Sequence, residues 1–250
     1  MKLFQKHIDA FTPTSLDEMN EIKLLNRNDT KYIFHERKLP AILEDLKAYY
    51  KVLEIEGIRL LKYENQYFET EDFSCYQNHQ RGRLSRTKIR IRKYVESDLS
   101  FIEIKTKTNK SRTVKNRIPM TTEEHIRSPR IVDFVNKNAP IQVDEFAHEL
   151  QIDFQRITLA HKELKDRCTL DLNLCARWNG KQHHFENLII AELKQDRFKH
   201  ASEFNLILKK HKIYSGSFSK YCFSFLSLND QLKRNNFKPN LRHLEKTLYD

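Results

Sequence analysis

Charged residues take every second position in two neighbouring stretches, 86–94 and 101–107. They are Lys88, Arg90 and Arg92 in the first stretch and Glu103, Lys105 and Lys107 in the second. Because side chains alternate between the two faces of a β-strand, each set shares one face. The linker 95–100 is short enough for a hairpin, which would lay the two charged faces side by side. Such a surface is suited to binding an anion.

The same alternation recurs elsewhere in the chain. Lys115 and Arg117 alternate within 114–118, and Glu192 and Lys194 follow the apolar run 188–191. A single hairpin of this kind could be the solvated face of an ordinary antiparallel sheet. Several strands with cations and an occasional carboxylate on one face, and aliphatic residues on the other, instead favour a barrel with a polar interior.

The composition predicts one large globular domain, 1–250, with an anionic partner. The chain has 250 residues, 39% hydrophobic and 32% charged, and its 45 Lys and Arg against 34 Asp and Glu give a net charge of +11. This charge favours nucleic acid, phosphates or an acidic membrane surface. The four cysteines have neither zinc-site spacing nor a disulfide pattern, and no run is long and apolar enough to cross a bilayer. We therefore expect a cytoplasmic protein.

The order of predicted elements is of the α+β class. Helices are expected at about 15–25, 38–50, 72–80, within 128–149, at 203–211 and in the tail 227–250. Besides the opening hairpin, strands are expected at 27–34, 59–70, 111–118, 152–163, 166–177, 183–194 and 218–226. About eight strands can close a small antiparallel β-barrel with flanking helices.

Eight short segments, in this order, give the chain a family resemblance. They are Arg27–Tyr32, Tyr67–Thr70, Lys88–Arg92, Phe101–Lys105, Val114–Arg117, Arg167–Asp171, Ile190–Lys194 and Phe218–Tyr221. In these segments the chain resembles the VTC domain, the polyphosphate polymerase branch of the triphosphate tunnel metalloenzyme (CYTH-like) superfamily. The resemblance implies a closed antiparallel barrel that forms a polar tunnel.

The resemblance also implies the roles of individual residues. Seven cations would line the tunnel and bind the phosphate chain, namely Lys31, Arg90, Arg92, Lys105, Lys115, Arg167 and Lys220. Ser219 would support the phosphate site, and Glu192 would ligate Mg²⁺ or Mn²⁺. The implied reaction transfers the γ-phosphate of ATP onto a polyphosphate chain with release of ADP. Triphosphate and pyrophosphate are further expected ligands. Confined cations need counter-ions, for which Glu69, Glu103 and Asp171 are candidates.

Three alternatives remain open from the sequence. A tripolyphosphatase or nucleoside triphosphatase would use the same tunnel with water as acceptor. A non-catalytic polyphosphate sensor is favoured by Ser217, which stands where the polymerase pattern predicts a second lysine. An RNA-binding β-domain fits the charge, but the cations alternate with aliphatic residues rather than with stacking aromatics, so we expect no nucleic acid. The E-x-E-x-K signature of the wider superfamily is missing, since Glu18–Lys23 has the wrong spacing.

Overall fold

The computed structural model describes residues 4–20, 22, 27–109, 113–196 and 202–249. Its helices are α1 (Gln5–Asp9), α2 (Leu16–Asn20), α3 (Leu39–Leu46), α4 (Ser74–Gln80), α5 (Pro129–Asn138), α6 (Glu203–Lys210), α7 (Lys220–Leu228) and α8 (Lys238–Tyr249). Its strands are β1 (Pro13–Thr14), β2 (Arg27–His35), β3 (Tyr50–Leu53), β4 (Leu61–Thr70), β5 (Arg86–Tyr94), β6 (Leu99–Lys107), β7 (Thr113–Met120), β8 (Phe146–His161), β9 (Asp166–Trp178), β10 (Lys181–His184) and β11 (Leu188–Asp196). The chain is thus α+β, with a large, mainly antiparallel sheet.

Most predicted elements are confirmed, but the strand predicted at 218–226 is wrong. These residues form helix α7, in which Tyr221, Phe223 and Phe225 are all buried. Its first turn is capped by Ser219, whose hydroxyl accepts a hydrogen bond from the Cys222 amide at 3.2 Å. A helix that is apolar on every side has no amphipathic period, so its sequence cannot be told from that of a buried strand. The helical prediction for 128–149 also extends too far, because β8 begins at Phe146.

The predicted closed barrel is not what the structure shows. Eight strands follow one hydrogen-bonded path in the order β2-β11-β9-β8-β4-β5-β6-β7, and its end strands β2 and β7 do not pair in the described parts of the chain. The open edge of β2 is occupied instead by the segment before α7. Tyr32 forms a β-bridge with Ser215, and the Gly216 amide donates to the Lys31 carbonyl at 2.8 Å. The sheet is curled but open.

The curled sheet has a covered convex face and a partly open concave face. Helices α1, α3 and α6 pack on the convex face of β2, β8, β9 and β11. Helix α5 packs behind β5 and β6, against Ile89, Ile102 and Ile104. Inside the concave face, α7 packs against Tyr67, Leu150 and Phe154. The part of the concave face that α7 leaves uncovered carries the charged rows predicted from the sequence.

Candidate functional site

Three strands at one end of the sheet place basic side chains in a cross-strand row. Lys88 on β5 is opposite Lys105 on β6, which is opposite Lys115 on β7. Directly opposed residues of antiparallel strands share a face, with Cβ atoms about 4.5–5.5 Å apart. In the next row, Arg90 faces Glu103. The sequence expectation of one shared cationic face across the hairpin is therefore confirmed by the register.

A second charged row crosses the other end of the sheet. Lys31 on β2 is opposite Glu192 on β11, which is opposite Thr169 on β9. One row away, Lys194 lies opposite Arg167. The Lys194 ammonium is 3.6 Å from a Glu192 carboxylate oxygen, so the carboxylate has a basic neighbour on its own strand.

The two charged ends meet at the start of α7. Lys31 donates a hydrogen bond to the Phe218 carbonyl at 3.2 Å, and Lys88 donates to the Ser219 hydroxyl at 2.9 Å. Since Phe218 and Ser219 are consecutive, the ammonium groups of Lys31 on β2 and Lys88 on β5 reach neighbouring residues. Lys220, the next residue, donates to Asp171 on β9 at 2.5 Å. Residues 218–220, at the start of α7, thus contact side chains from β2, β5 and β9. We call the part of the concave face around these contacts the basin.

Two buried carboxylates are counter-ions, as predicted for Glu103 and Asp171. Glu103 accepts from the Arg90 guanidinium at 2.5 and 2.8 Å and also pairs with Lys115. Burial alone would raise the pKa of Glu103, but Arg90, Arg92 and Lys115 lower it to about 2.

Asp171 holds two cations at once. Its two oxygens accept from Arg156 at 2.5 and 2.8 Å, a bidentate pair, and Oδ2 also accepts from Lys220. Burial opposes ionisation, yet Arg156 and Lys220 hold the pKa of Asp171 well below its usual range. Arg156 and Lys220 both lie over the ring of Phe154, which shields the group from water.

The third predicted counter-ion, Glu69, has a different role. Its carboxylate accepts hydrogen bonds from the amides of Cys75 and Tyr76 at 3.0 and 2.8 Å, in the first turn of α4, and from the Tyr221 hydroxyl. The prediction of a basin counter-ion is wrong here, because the free amides at the start of a helix attract a carboxylate. Glu69 ties α4 to α7.

Four basin cations have only neutral hydrogen-bond partners or none within the described chain. Lys31 and Lys88 bond to a carbonyl and a hydroxyl, and Arg92 donates to the Asn65 side-chain oxygen at 2.8 Å. Lys105 makes no hydrogen bond or ion pair with a described residue. Enclosure by the strands lowers the pKa of both Lys88 and Lys105, and the nearby Lys31 lowers both further. Within the described chain, none of these four cations has a carboxylate within ion-pair distance, although Glu192 and Asp29 attract Lys105 from farther away.

Glu192 fits the role of a single carboxylate ligand for a divalent metal. Burial would raise its pKa, but Lys194, Lys31 and Arg156 lower it to about 2, so the carboxylate is ionised at neutral pH. No cluster of three His, Cys, Asp or Glu side chains that could hold a metal occurs in the described ranges. Mg²⁺ is commonly held by one or two carboxylates together with substrate phosphates and water. The donor set suits a metal that arrives with phosphate, rather than a closed protein cage.

All nine residues singled out from the sequence lie around the basin. They are Lys31, Arg90, Arg92, Lys105, Lys115, Arg167, Glu192, Ser219 and Lys220. Lys115 and Lys220 are engaged by carboxylates, and Ser219 also caps α7. Ser217 is exposed just before α7, where its carbonyl accepts from the Asn240 side chain at 2.9 Å.

Sequence reasoning missed three further basin residues. Lys88 was part of the alternating pattern but was not assigned a role. Arg156 follows Phe154 at strand spacing, a signal that could have found it. Tyr67 packs against α7, and its hydroxyl accepts a hydrogen bond from Arg90 at 2.7 Å. Burial would raise the pKa of Tyr67, but Arg90, Arg92 and Lys88 lower it to about 8.

Comparison with solved structures gives distant resemblances. A candidate adenylate cyclase of Vibrio parahaemolyticus is 10% identical, with a TM-score of 0.49 over 80% of this chain and 99% of that one. A candidate adenylyl cyclase of Hippeastrum with a dominant triphosphatase activity is 12% identical, with a TM-score of 0.47 over 80% of this chain and 95% of that one. A Pyrococcus horikoshii protein is 13% identical, with a TM-score of 0.38 over 74% and 86%. No curated protein matches the chain.

The family assignment rests on a match to a whole-domain family model rather than on these structures. That model, described as the VTC domain, covers residues 26–229, which include every strand of the hydrogen-bonded path and helix α7. In the described part of the chain, no helix is long and apolar enough to cross a membrane. The chain belongs to the VTC domain family.

Proposed function

We propose that this protein is a metal-dependent polyphosphate polymerase, which transfers the γ-phosphate of ATP onto a polyphosphate chain bound in the basin. The observation that carries the proposal is the set of basin cations that form no ion pair with a carboxylate of the described residues, Lys31, Lys88, Arg92 and Lys105. Enclosed like charges repel one another, so a polyanion that enters the basin relieves repulsion as well as forming new bonds.

Polyphosphate suits this surface because it carries charge along its whole length and has no ring or base edge. The cations lie on strands β2, β5, β6 and β7, whereas a single phosphate would need only one cluster. Arg92 uses only its Nε on Asn65, so its two terminal nitrogens can bind non-bridging oxygens, and the lysines supply compact charge. We therefore favour a chain of phosphates over an isolated orthophosphate as the ligand.

The reaction needs few covalent steps from the protein. A terminal oxygen of the acceptor chain attacks the γ-phosphorus of ATP, the bond from that phosphorus to the bridging oxygen of ADP breaks, and ADP leaves with the bonding electrons. The protein's task is to hold the two oxygens in line and to neutralise charge on the transferred group. Lys31 and Lys88 face each other beside Glu192 and Ser219, in a position to bind both reactants.

Glu192 would hold Mg²⁺ or Mn²⁺ together with phosphate oxygens. The metal, when bound, supplies Lewis-acid neutralisation of the phosphate charge. The neighbouring Lys194 has a pKa of about 8, because burial lowers it more than Glu192 raises it. Lys194 therefore retains most of its charge at neutral pH and helps to keep Glu192 ionised.

A tripolyphosphatase that uses the same basin is the second candidate, and the open sheet favours it. Strands β2 and β7 do not pair in the described chain, so the sheet by itself does not seal the basin from water. The two activities differ only in whether the attacking oxygen belongs to a phosphate chain or to water. A non-catalytic polyphosphate sensor would share the binding surface.

The decisive experiment is incubation with ATP and Mn²⁺, with and without a short polyphosphate primer, and separation of the products by length on a gel. We expect long chains from the parent and none from Lys31→Ala or Glu192→Ala. Lys62→Ala, on the exposed outer side of β4, is the matched control and should leave the products unchanged. Orthophosphate without chains would establish a hydrolase in place of the polymerase, and binding without turnover would establish a sensor.

A further inference from the structure

Thr169 carries a buried hydroxyl that no described residue bonds. The residue is 4% exposed, and its Oγ1 has no hydrogen-bond partner in the described chain. Buried hydroxyl groups in native proteins nearly always have a partner, because leaving one unpaired is costly. Threonine is favoured in strands for its branched shape, but valine offers the same shape without the unpaired group. The presence of threonine rather than valine at this buried position therefore needs an explanation.

The position of Thr169 supplies one. It is directly opposite Glu192 on β11, in the row that continues to Lys31 on β2. Paired residues of antiparallel strands point to the same face, so the hydroxyl and the Glu192 carboxylate share the concave side. Thr169 lies on the side of Glu192 away from Lys31, so a phosphate chain that is held by Lys31 and continues across Glu192 would come next to the Thr169 hydroxyl.

The geometry points to Thr169 as a ligand-positioning residue of the basin: its hydroxyl hydrogen-bonds an oxygen of the phosphate chain bound beside Glu192. A hydroxyl is suited to this place because it can donate to a phosphate oxygen without adding charge. An additional lysine at this site would neutralise Glu192 and compete with a divalent metal. The inference rests on the proposed function, since it assumes that a phosphate chain is bound beside Glu192.

The test measures two properties of the same variants. The first is the affinity for tripolyphosphate in the presence of Mg²⁺, by titration calorimetry, and the second is the Tm of the ligand-free protein. We expect Thr169→Val to weaken tripolyphosphate binding about tenfold, equivalent to ~1.4 kcal/mol. Its ligand-free Tm should stay the same or rise by about 2–4 °C, because an unpaired buried hydroxyl is removed. Thr169→Ser, which keeps the hydroxyl, should bind within about threefold of the parent.

Two further variants keep the test decisive. Thr158→Val is the matched control, since Thr158 is opposite Thr169 but one strand farther from Glu192 and is similarly buried at 5%. It should leave tripolyphosphate affinity unchanged. Thr169→Ala removes the hydroxyl without adding bulk and decides the question if the valine variant does not fold.

The outcomes separate this inference from the proposed function. Tripolyphosphate affinity within about twofold of the parent in Thr169→Val or Thr169→Ala would overturn the role of Thr169, whatever the Tm. An equal loss in Thr158→Val would also overturn it, because the effect would then be a general disturbance of the sheet. A parent that does not bind tripolyphosphate would instead refute the proposed function.

Discussion

Asp171 should be one of the most important side chains for the stability of the ligand-free protein. It is 1% exposed and is the shared partner of Arg156 and Lys220, whose side chains are 12% and 18% exposed. The substitution Asp171→Asn keeps the shape and one carbonyl oxygen but removes the charge. Two basic groups are then left in an enclosed site without their counter-ion.

The size of the effect follows from the burial of the three groups. Removing one member of a buried ion pair typically costs ~3–5 kcal/mol, and the partial exposure of the two cations favours the lower end. A loss of ~3 kcal/mol corresponds to a fall in Tm of about 6–12 °C for a domain of this size. The matched control is Asp153→Asn, because Asp153 pairs with Arg177 at a site where the two side chains are 30% and 41% exposed. Exposed pairs contribute at most ~1 kcal/mol, so the control should lose no more than about 2–4 °C.

The assay is thermal unfolding of both variants with and without tripolyphosphate. Because Asp171→Asn frees two cations, the variant should bind tripolyphosphate more tightly than the parent, and the ligand should restore part of the lost Tm. A Tm for ligand-free Asp171→Asn within about 2 °C of that of Asp153→Asn would refute the reasoning. It would mean that water already compensates Arg156 and Lys220.

Three further predictions concern charge and pH. Glu192→Gln should abolish metal-dependent turnover. The variant should bind metal-free tripolyphosphate more tightly than the parent, because the substitution removes a negative charge from the basin. Weaker metal-free binding, measured by calorimetry, would contradict this prediction. Glu103 and Glu192 have pKa values of about 2 in the folded protein, against an ordinary value of 4.5. Between these pH values the unfolded chain therefore binds more protons than the folded protein. The two carboxylates stabilise the folded protein fully above about pH 4.5, and this stabilisation is lost as the pH falls toward 2. Urea unfolding at several pH values in that range measures the free energy of unfolding of the parent and of Glu103→Gln. The parent's free energy of unfolding should exceed that of the variant by less as the pH falls, and a difference that does not change with pH would count against the prediction. Tyrosinate absorbance should show a titration near pH 8 that Tyr67→Phe lacks, since the pKa of Tyr67 is lowered to about 8; identical titrations of the two proteins would remove Tyr67 from the cationic network.

The sequence was sufficient to predict the charged face and the family. Alternation in 86–94 and 101–107 fixes which side chains share a face, because the period of a strand is a local property of the backbone. The order of short segments from Arg27 to Tyr221 predicted the VTC family, which the match over 26–229 shows. These features depend on neighbours in sequence and on order along the chain, so a single sequence contains them.

Only the tertiary structure decided how the charges are matched. Asp171 is separated from Lys220 by 49 positions, and Lys88 from Ser219 by 131, so neither pair follows from local spacing. Helix α7 was predicted as a strand because a segment buried on all sides has no periodic signal, and the open edge of β2 depends on where the segment before α7 packs. Likewise, only the packing of the described residues reveals that the hydroxyl of Thr169 has no partner among them. The sequence determined which residues share a face, whereas the folding of distant segments onto that face determined which cations are neutralised and which remain available for a ligand.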